Sequence, residues 1–244
     1  MTIPGLAEWI LSAQGRYVID WEMGRVDRIV TDLFGFNALQ LGLTDCDYLR
    51  ANRIPFRARC NGGGAAQVVV DSVQLPFASQ CFDLVVLPHV LEFSPDPHQV
   101  LREVERVLMP EGHLVISGFN PLSLWGLRQR RARRTGAFPW NGDYLSVGRL
   151  KDWCKLLGLE PQGGCFGCYV PAVRDEKWLR RLQFMEAAGD RWWGIGGGVY
   201  VLQAVKRVKG MRIITPPAWR ARLAARPRLA PVVWQQNRQG PAQR

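Results

Sequence analysis

Apolar residues recur along this chain in two rhythms. At residues 68–70, 84–87 and 114–116 they form short runs rich in branched side chains, too short for helices and suited to strands buried on both faces. Between the last two runs, Val100, Leu101, Val104, Val107 and Leu108 fall on one side of a helix at 3.6 residues per turn. Asp96 is placed to cap that helix, Pro97 suits its first position, and Pro110 with Gly112 are expected to stop it. A strand, a crossover helix and a strand predict a βαβ unit and hence a parallel sheet. Around this centre, residues 5–34 read as helical and residues 38–41 as a first strand that turns at Gly42. Thr44 or Asp45 is expected to cap a short helix reaching Asn52. Farther on, Ser146 caps a predicted helix with Val147, Leu150, Trp153, Cys154 and Leu157 inward and Gly158 as its stop. Residues 174–188 predict an extra helix with Trp178, Leu179, Leu182 and Met185 on one face, and residues 199–205 a final strand.

The central stretch also carries a resemblance. Asp71 at a strand end is followed by Leu75-Pro76-Phe77, Phe82-Asp83-Leu84-Val85, Leu91-Glu92, Leu101-Arg102-Glu103-Val104 and Arg106-Val107-Leu108-Met109-Pro110-Glu111-Gly112. In this order and spacing the pieces resemble the second half of a class I S-adenosyl-L-methionine-dependent methyltransferase domain, in a bacterial branch with Gly118-Phe119-Asn120-Pro121. The match spans roughly residues 34–158 and is dense from Asp71 to Ser117. It implies a Rossmann-like α/β fold: a mostly parallel seven-stranded sheet with an antiparallel last strand and helices on both faces. The implied organisation is a helical segment (1–34), the methyltransferase domain (35–207, with an insertion at about 118–143) and a basic, disordered tail (208–244).

The resemblance further implies S-adenosyl-L-methionine as cofactor and assigns its contacts. Gly42 marks the cofactor turn, Asp71 takes the adenine N6 hydrogens, the Ser72 amide reaches ring N1, and Pro88 and His89 face the methyl-bearing sulfur. Each has a plainer alternative. Asp-Ser after a strand is also good turn chemistry, and His89 is either an acid–base group or a hydrogen-bonded wall residue. Tyr17, an acceptor-site candidate, and Trp21 either cover the crevice or pack as ordinary helix residues. Asn120 either contacts the methyl acceptor or builds a turn. Two departures stand out: Leu41-Gly42-Leu43-Thr44 keeps only the first glycine of the usual GxGxG turn, and Phe56 to Asn61 shows no acidic residue for the ribose. The Gly62-Gly63-Gly64 run lacks the Lys-Ser/Thr of a phosphate loop and reads as a flexible connection.

With 244 residues, 47% of them apolar, the chain can bury a sizeable core. No apolar run is long enough to span a bilayer and the N-terminus lacks a signal-peptide pattern, so a cytoplasmic protein is expected. The six cysteines are expected to stay reduced, with Cys165 and Cys168 as small residues around a strand and no metal site. The formal charge is +11, yet the ten basic residues from Lys206 onward meet no acidic one, which leaves residues 1–205 at +1. Prolines and sparse apolar residues in that tail predict disorder, with a short helix at 219–225. The tail and the arginines at 128, 130, 131, 133 and 134 suit an anionic partner, nucleic acid or membrane surface. Glu103 and Arg106 read as a solvated helix pair.

Two functions follow. The first is methyl transfer to an acceptor, with a small molecule placed ahead of RNA. The second is a methyltransferase-like binding or regulatory protein, weakly active or inactive, that works through its tail and insertion.

Overall fold

A computed structural model describes residues 5–62, 68–173 and 175–208. Gly63, Gly64, the 219–225 segment and the rest of the tail from Lys209 lie outside the described residues, and the chain divides into units Met1–Val208 and Lys209–Arg244.

Seven strands form one sheet: β1 Asn37–Leu41, β2 Phe56–Asn61, β3 Val68–Val69, β4 Phe82–Pro88, β5 Leu108–Phe119, β6 Leu159–Gly167 and β7 Val199–Lys206. Their order is β3-β2-β1-β4-β5-β7-β6, with β7 antiparallel to both neighbours and the remaining pairs parallel. The period of two along a strand divides the core. Val85, Leu87, Leu114 and Ile116 face one layer, while Leu84, Val86 and Val115 face the other. Strand order reverses between β1 and β4, so their carboxyl ends diverge and leave the crevice where ligands settle in open α/β sheets.

The first layer is covered by α3 (Pro97–Val107) and α5 (Val147–Leu156), which bury Val100, Leu101 and Val104, and Leu150 and Cys154. Asp96 and Ser146 cap them through the amides of Gln99 and Arg149. The second layer lies under α1 (Leu6–Leu11) and α2 (Ala13–Val30), which bury Leu6, Trp9, Val18, Ile19, Val26 and Val30. The predicted 5–34 helix is thus broken at Ser12, whose Oγ accepts from the Gly15 amide. A Cβ at Gly15 would stand 2.0 Å from the Trp9 carbonyl oxygen, so the two helices meet backbone to side.

Four other expectations change. α3 ends at Val107 rather than at Pro110, because Leu108 is already paired with Phe82 in the sheet. The 43–52 segment folds as turns without a helix. Residues 174–188 make two short helices, α6 (Glu176–Arg181) and α7 (Phe184–Trp192), with Leu179 buried and Trp178 exposed. Glu103 and Arg106 form more than a solvated pair: Arg106 donates to the carbonyls of Leu75 and Phe77 while Glu103 accepts from the Leu75 amide. The pair thereby straps the connection into β4 onto α3. The insertion after β5 supplies α4 (Leu124–Ala132), capped by Ser123, and a 3-10 turn at Arg133–Thr135.

Candidate functional site

The carboxyl ends of β1, β2 and β4 converge on a small cavity lined by Gly42, Asn61, Ser72, Pro88, His89 and Ser94, with Leu6 and Phe93 over it. Gly42 belongs there for a steric reason. Its φ is +89°, and a Cβ would come within 2.6 Å of Val90 Cγ2. Past it the chain is held by one buried side chain. Gln40 Nε2 donates to the carbonyls of Gly42, Leu43 and Cys46 at 3.1, 3.0 and 2.8 Å, and Oε1 accepts from the Tyr48 amide at 3.0 Å. A glutamine strap therefore stands where a capped helix was expected.

Of the residues expected to touch the cofactor, Gly42, Ser72, Pro88 and His89 line one cavity. Asp71 lies beside them on the exposed rim. Its Oδ1 accepts from the Val73 amide at 3.1 Å, an Asx turn, and its backbone pairs with Gln74.

His89 occupies the tip of β4 with φ +52°, uncommon for a non-glycine residue, and is 1% exposed. Its Nδ1 lies 2.8 Å from Glu92 Oε2, and its Nε2 makes a 2.7 Å ion contact with Glu22 Oε1, out of line for a well-formed hydrogen bond. Glu92 also accepts from the Phe119 amide, and Glu22 from the Tyr48 hydroxyl at 2.7 Å. Burial alone would push the imidazole down, but the two carboxylates outweigh it and hold His89 up at about 10. Burial pushes the Glu92 carboxyl up, and His89 pulls it back down. At neutral pH the ring is a cation with both nitrogens facing carboxylates and no lone pair for a substrate proton. Its face lies on Phe119, with ring centres 4.3 Å apart.

The two acceptor candidates sit elsewhere. Tyr17 donates to Glu186 of α7 and receives the Val170 amide at 3.4 Å, so it ties α2 to the segment after β6. Burial, with Cys168 and Glu186 beside it, drives its phenol well above the ordinary range, so it remains a neutral donor. Asn120 is 1% exposed. Its Nδ2 donates to the carbonyls of Ile195 and Gly197 at 2.7 and 2.9 Å, and its Oδ1 accepts from Leu122 at 3.1 Å. Its Nδ2 thus clamps the end of β5 to the entry of β7, and its Oδ1 holds the turn at Leu122.

Several residues were not singled out in advance. Glu22 follows Val18 at i+4 and precedes Val26 by four, so an acidic residue interrupts an otherwise apolar helix face; that was a readable sign of a buried partner. Asn61 ends β2 where an acidic ribose contact was sought. Its Oδ1 accepts from the Gly62 amide at 2.8 Å, and the residue lines the cavity. Ser94 lines the same cavity, and its buried Oγ has no hydrogen-bond partner among the described residues.

These polar groups fit a nucleoside ligand at the strand tips: an unsatisfied hydroxyl, a rim carboxylate, an amide at the end of β2 and a glycine backbone. The space does not yet fit. The cavity measures about 40 Å³, far below the roughly 300–1,000 Å³ of ligand pockets. Room for S-adenosylmethionine would have to come from movement of the lining, which includes Leu6 and Phe93.

Residues 36–116, from β1 into β5, match the family model described as "Methyltransferase domain". The uncharacterized protein YafS of Escherichia coli is 36% identical over 132 residues, 53% of this chain and 55% of its own length. The demethylmenaquinone methyltransferase of Mycolicibacterium paratuberculosis is 28% identical over 152 residues, 58% of this chain and 57% of its own. The chain thus spans about half the length of the curated relatives it matches. A solved S-adenosylmethionine-dependent methyltransferase of Thermotoga maritima shares the fold with a TM-score of 0.62 at 16% identity, over 82% of this chain and 94% of that one.

Proposed function

Because this chain carries a methyltransferase domain of the class I S-adenosylmethionine-dependent family, we propose that it transfers a methyl group from that cofactor to a small acceptor that is already ionised. Bound S-adenosylmethionine would supply an electrophilic methyl on a sulfonium: an in-line nucleophile would take the methyl as the sulfur–methyl bond breaks, and S-adenosylhomocysteine would leave. That displacement needs position more than acid–base help. The observation that carries the reading is the crevice at the β1/β4 switch point, with Gly42, Asn61, Ser72, Pro88 and the unpartnered Ser94 hydroxyl around it.

In this reading Gly42 gives close backbone approach, Asp71 offers its second carboxylate oxygen to the adenine amine, and Asn61 replaces an acidic residue toward the ribose. His89 acts as a fixed cation that braces the β4 tip. A protonated imidazole between Glu22 and Glu92 does not serve as the base, which favours an acceptor whose nucleophile is ionised at neutral pH. A small acceptor is also supported by the name of the demethylmenaquinone methyltransferase relative. No described helix is long and apolar enough to cross a membrane.

A second reading is favoured by one observation, the roughly 40 Å³ closed crevice beside the helix-free 43–52 segment: a methyltransferase-like binding protein. Calorimetric titration with S-adenosylmethionine and S-adenosylhomocysteine separates the two. Saturable binding supports transfer, and absence of binding to either, with and without added acceptors, supports the second reading. Asp71→Ala is expected to weaken cofactor binding by about 1–3 kcal/mol, the cost of an unmatched polar partner; unchanged binding removes Asp71 from the site.

A further inference from the structure

The insertion after β5 and the helices before β7 enclose a second cavity of about 740 Å³, within the roughly 300–1,000 Å³ range of small-molecule sites. It shares no lining residue with the crevice at Gly42. One wall is Leu122, Leu124 and Leu127; the opposite wall is Phe184, Met185 and Trp193. Several of these stay open to solvent, Leu122 and Phe184 each at 68% and Trp193 at 66%. Apolar surface concentrated in one concave place marks a ligand site more than chance does.

The floor is built. α7 packs so closely on Tyr169 that a Cβ at Gly189 would stand 2.2 Å from its ring. The polar groups of the lining are nearly all spent. Ser123 Oγ donates to the Asn120 carbonyl at 2.6 Å and accepts from the Gly126 amide at 3.1 Å, and the Tyr169 hydroxyl lies 3.4 Å from the Gly194 carbonyl. No carboxylate lines the cavity. The nearby Glu186 carboxylate is held by Tyr17 and the amides of Tyr169 and Val170. One charged group remains: Arg130, exposed at the rim, with no hydrogen bond or ion pair among the described residues. Of the other arginines of the insertion, Arg128 engages the Ala172 carbonyl and the Trp140 ring and Arg133 engages Asp143, while Arg131 and Arg134 are not among the residues lining this cavity.

An apolar recess with one unpaired cation at its mouth is complementary to a molecule with one hydrocarbon chain and one negative head. We propose that this cavity binds a single-chain anionic amphiphile, its chain between α4 and α7 and its carboxylate or phosphate head on Arg130. Leu122, Leu124, Leu127, Phe184 and Trp193 line the recess rather than a flat face, while Trp192 and Ile195 beside it are exposed, so a bilayer contact is made an outcome of the test.

The test uses the full chain without cofactor, so its outcome is independent of methyl transfer. Dansyl-undecanoic acid, held below its micelle-forming concentration, is titrated against the protein and followed by its fluorescence, beside its neutral methyl ester. Saturable one-to-one binding is expected. Arg130→Gln should weaken the acid about tenfold, the effect of losing a charge-assisted contact, and leave the ester unchanged. Ala188→Trp should abolish binding of both by filling the cavity. Leu127→Asp, at a half-exposed position that puts the fold at little risk, should weaken the acid more than the ester. The proposal fails if binding does not saturate, if Arg130→Gln treats acid and ester alike, or if Ala188→Trp and Leu127→Asp both leave binding intact. It also fails if Arg130→Gln releases the chain from phosphatidylglycerol vesicles while monomeric probe binding stays the same, because the face would then be a bilayer contact.

Discussion

His89 combines three features that are costly one at a time: a left-handed backbone, nearly complete burial and a positive charge. Glu22 and Glu92 offset them together, which makes the three residues one unit. Its pH dependence follows from the direction of the shift. With the folded value near 10 and the ordinary value 6.5, the stabilisation from His89 is complete below about pH 6.5 and is lost as pH rises through 10. The raised Glu92 carboxyl adds loss in the same direction, beginning at lower pH. His89→Asn keeps a side chain that tolerates positive φ and removes the cation. Urea unfolding at neutral pH should show a loss of about 3–5 kcal/mol, the cost of stranding buried carboxylates. The decline of stability between pH 7 and 10 should be shallower in the variant than in the parent chain; an equal decline would mean that His89 is not the titrating group. Sequence pattern located this histidine at a strand tip, but its role was out of reach. Its partners come from a helix 67 positions earlier and a turn three positions later, and only the folded sheet brings them together.

Among elements, the segment after β1 departs most from expectation. A lone glycine followed by Leu43 and Thr44 suggested a capped helix, because Thr and Asp are good caps. What decided the outcome is Gln40, a polar residue pointing inward from a strand, whose amide satisfies three carbonyls and one amide that a helix would otherwise pair internally. Removing it should loosen the 43–52 turns more than the sheet. Gln40→Ala is expected to cost about 1–3 kcal/mol for the unpaired buried groups. Hydrogen exchange should rise at the Tyr48 amide while amides in β4 and β5 stay protected; uniform loss of protection would show that the strap supports the whole sheet instead. The helices whose N-caps and buried faces were read correctly were those with both periodicity and a cap, α3 and α5. The 174–188 segment divided because its apolar residues were too few to hold one continuous face, which left Trp178 exposed and only Leu179 buried.

At the scale of the whole molecule, the sheet was legible because parallel strands buried on both faces announce themselves as continuous apolar runs, and β4 and β5 did so most clearly. The crevice was legible only as a position, since its closure by Leu6 depends on a helix packed from the far end of the chain. Charge divides along the chain as sharply as fold does. Removing residues 209–244 takes away eight cations and leaves the remainder at +3. An anionic polymer neutralised by the tail releases counterions, so the logarithm of affinity for single-stranded RNA falls linearly with the logarithm of salt, by about 0.7 per phosphate contacted. The full chain is expected to show such a slope in filter binding between low and physiological salt, and a chain ending at Val208 to lose most of it. Cofactor titration is expected to be unchanged by the truncation, since the named lining of the crevice lies within residues 6–94. If the shortened chain keeps the full slope, the salt-dependent contacts belong to the arginines of the insertion, and Arg130 and Arg131, the arginines of α4 with no hydrogen bond, ion pair or ring contact among the described residues, become the residues to exchange next.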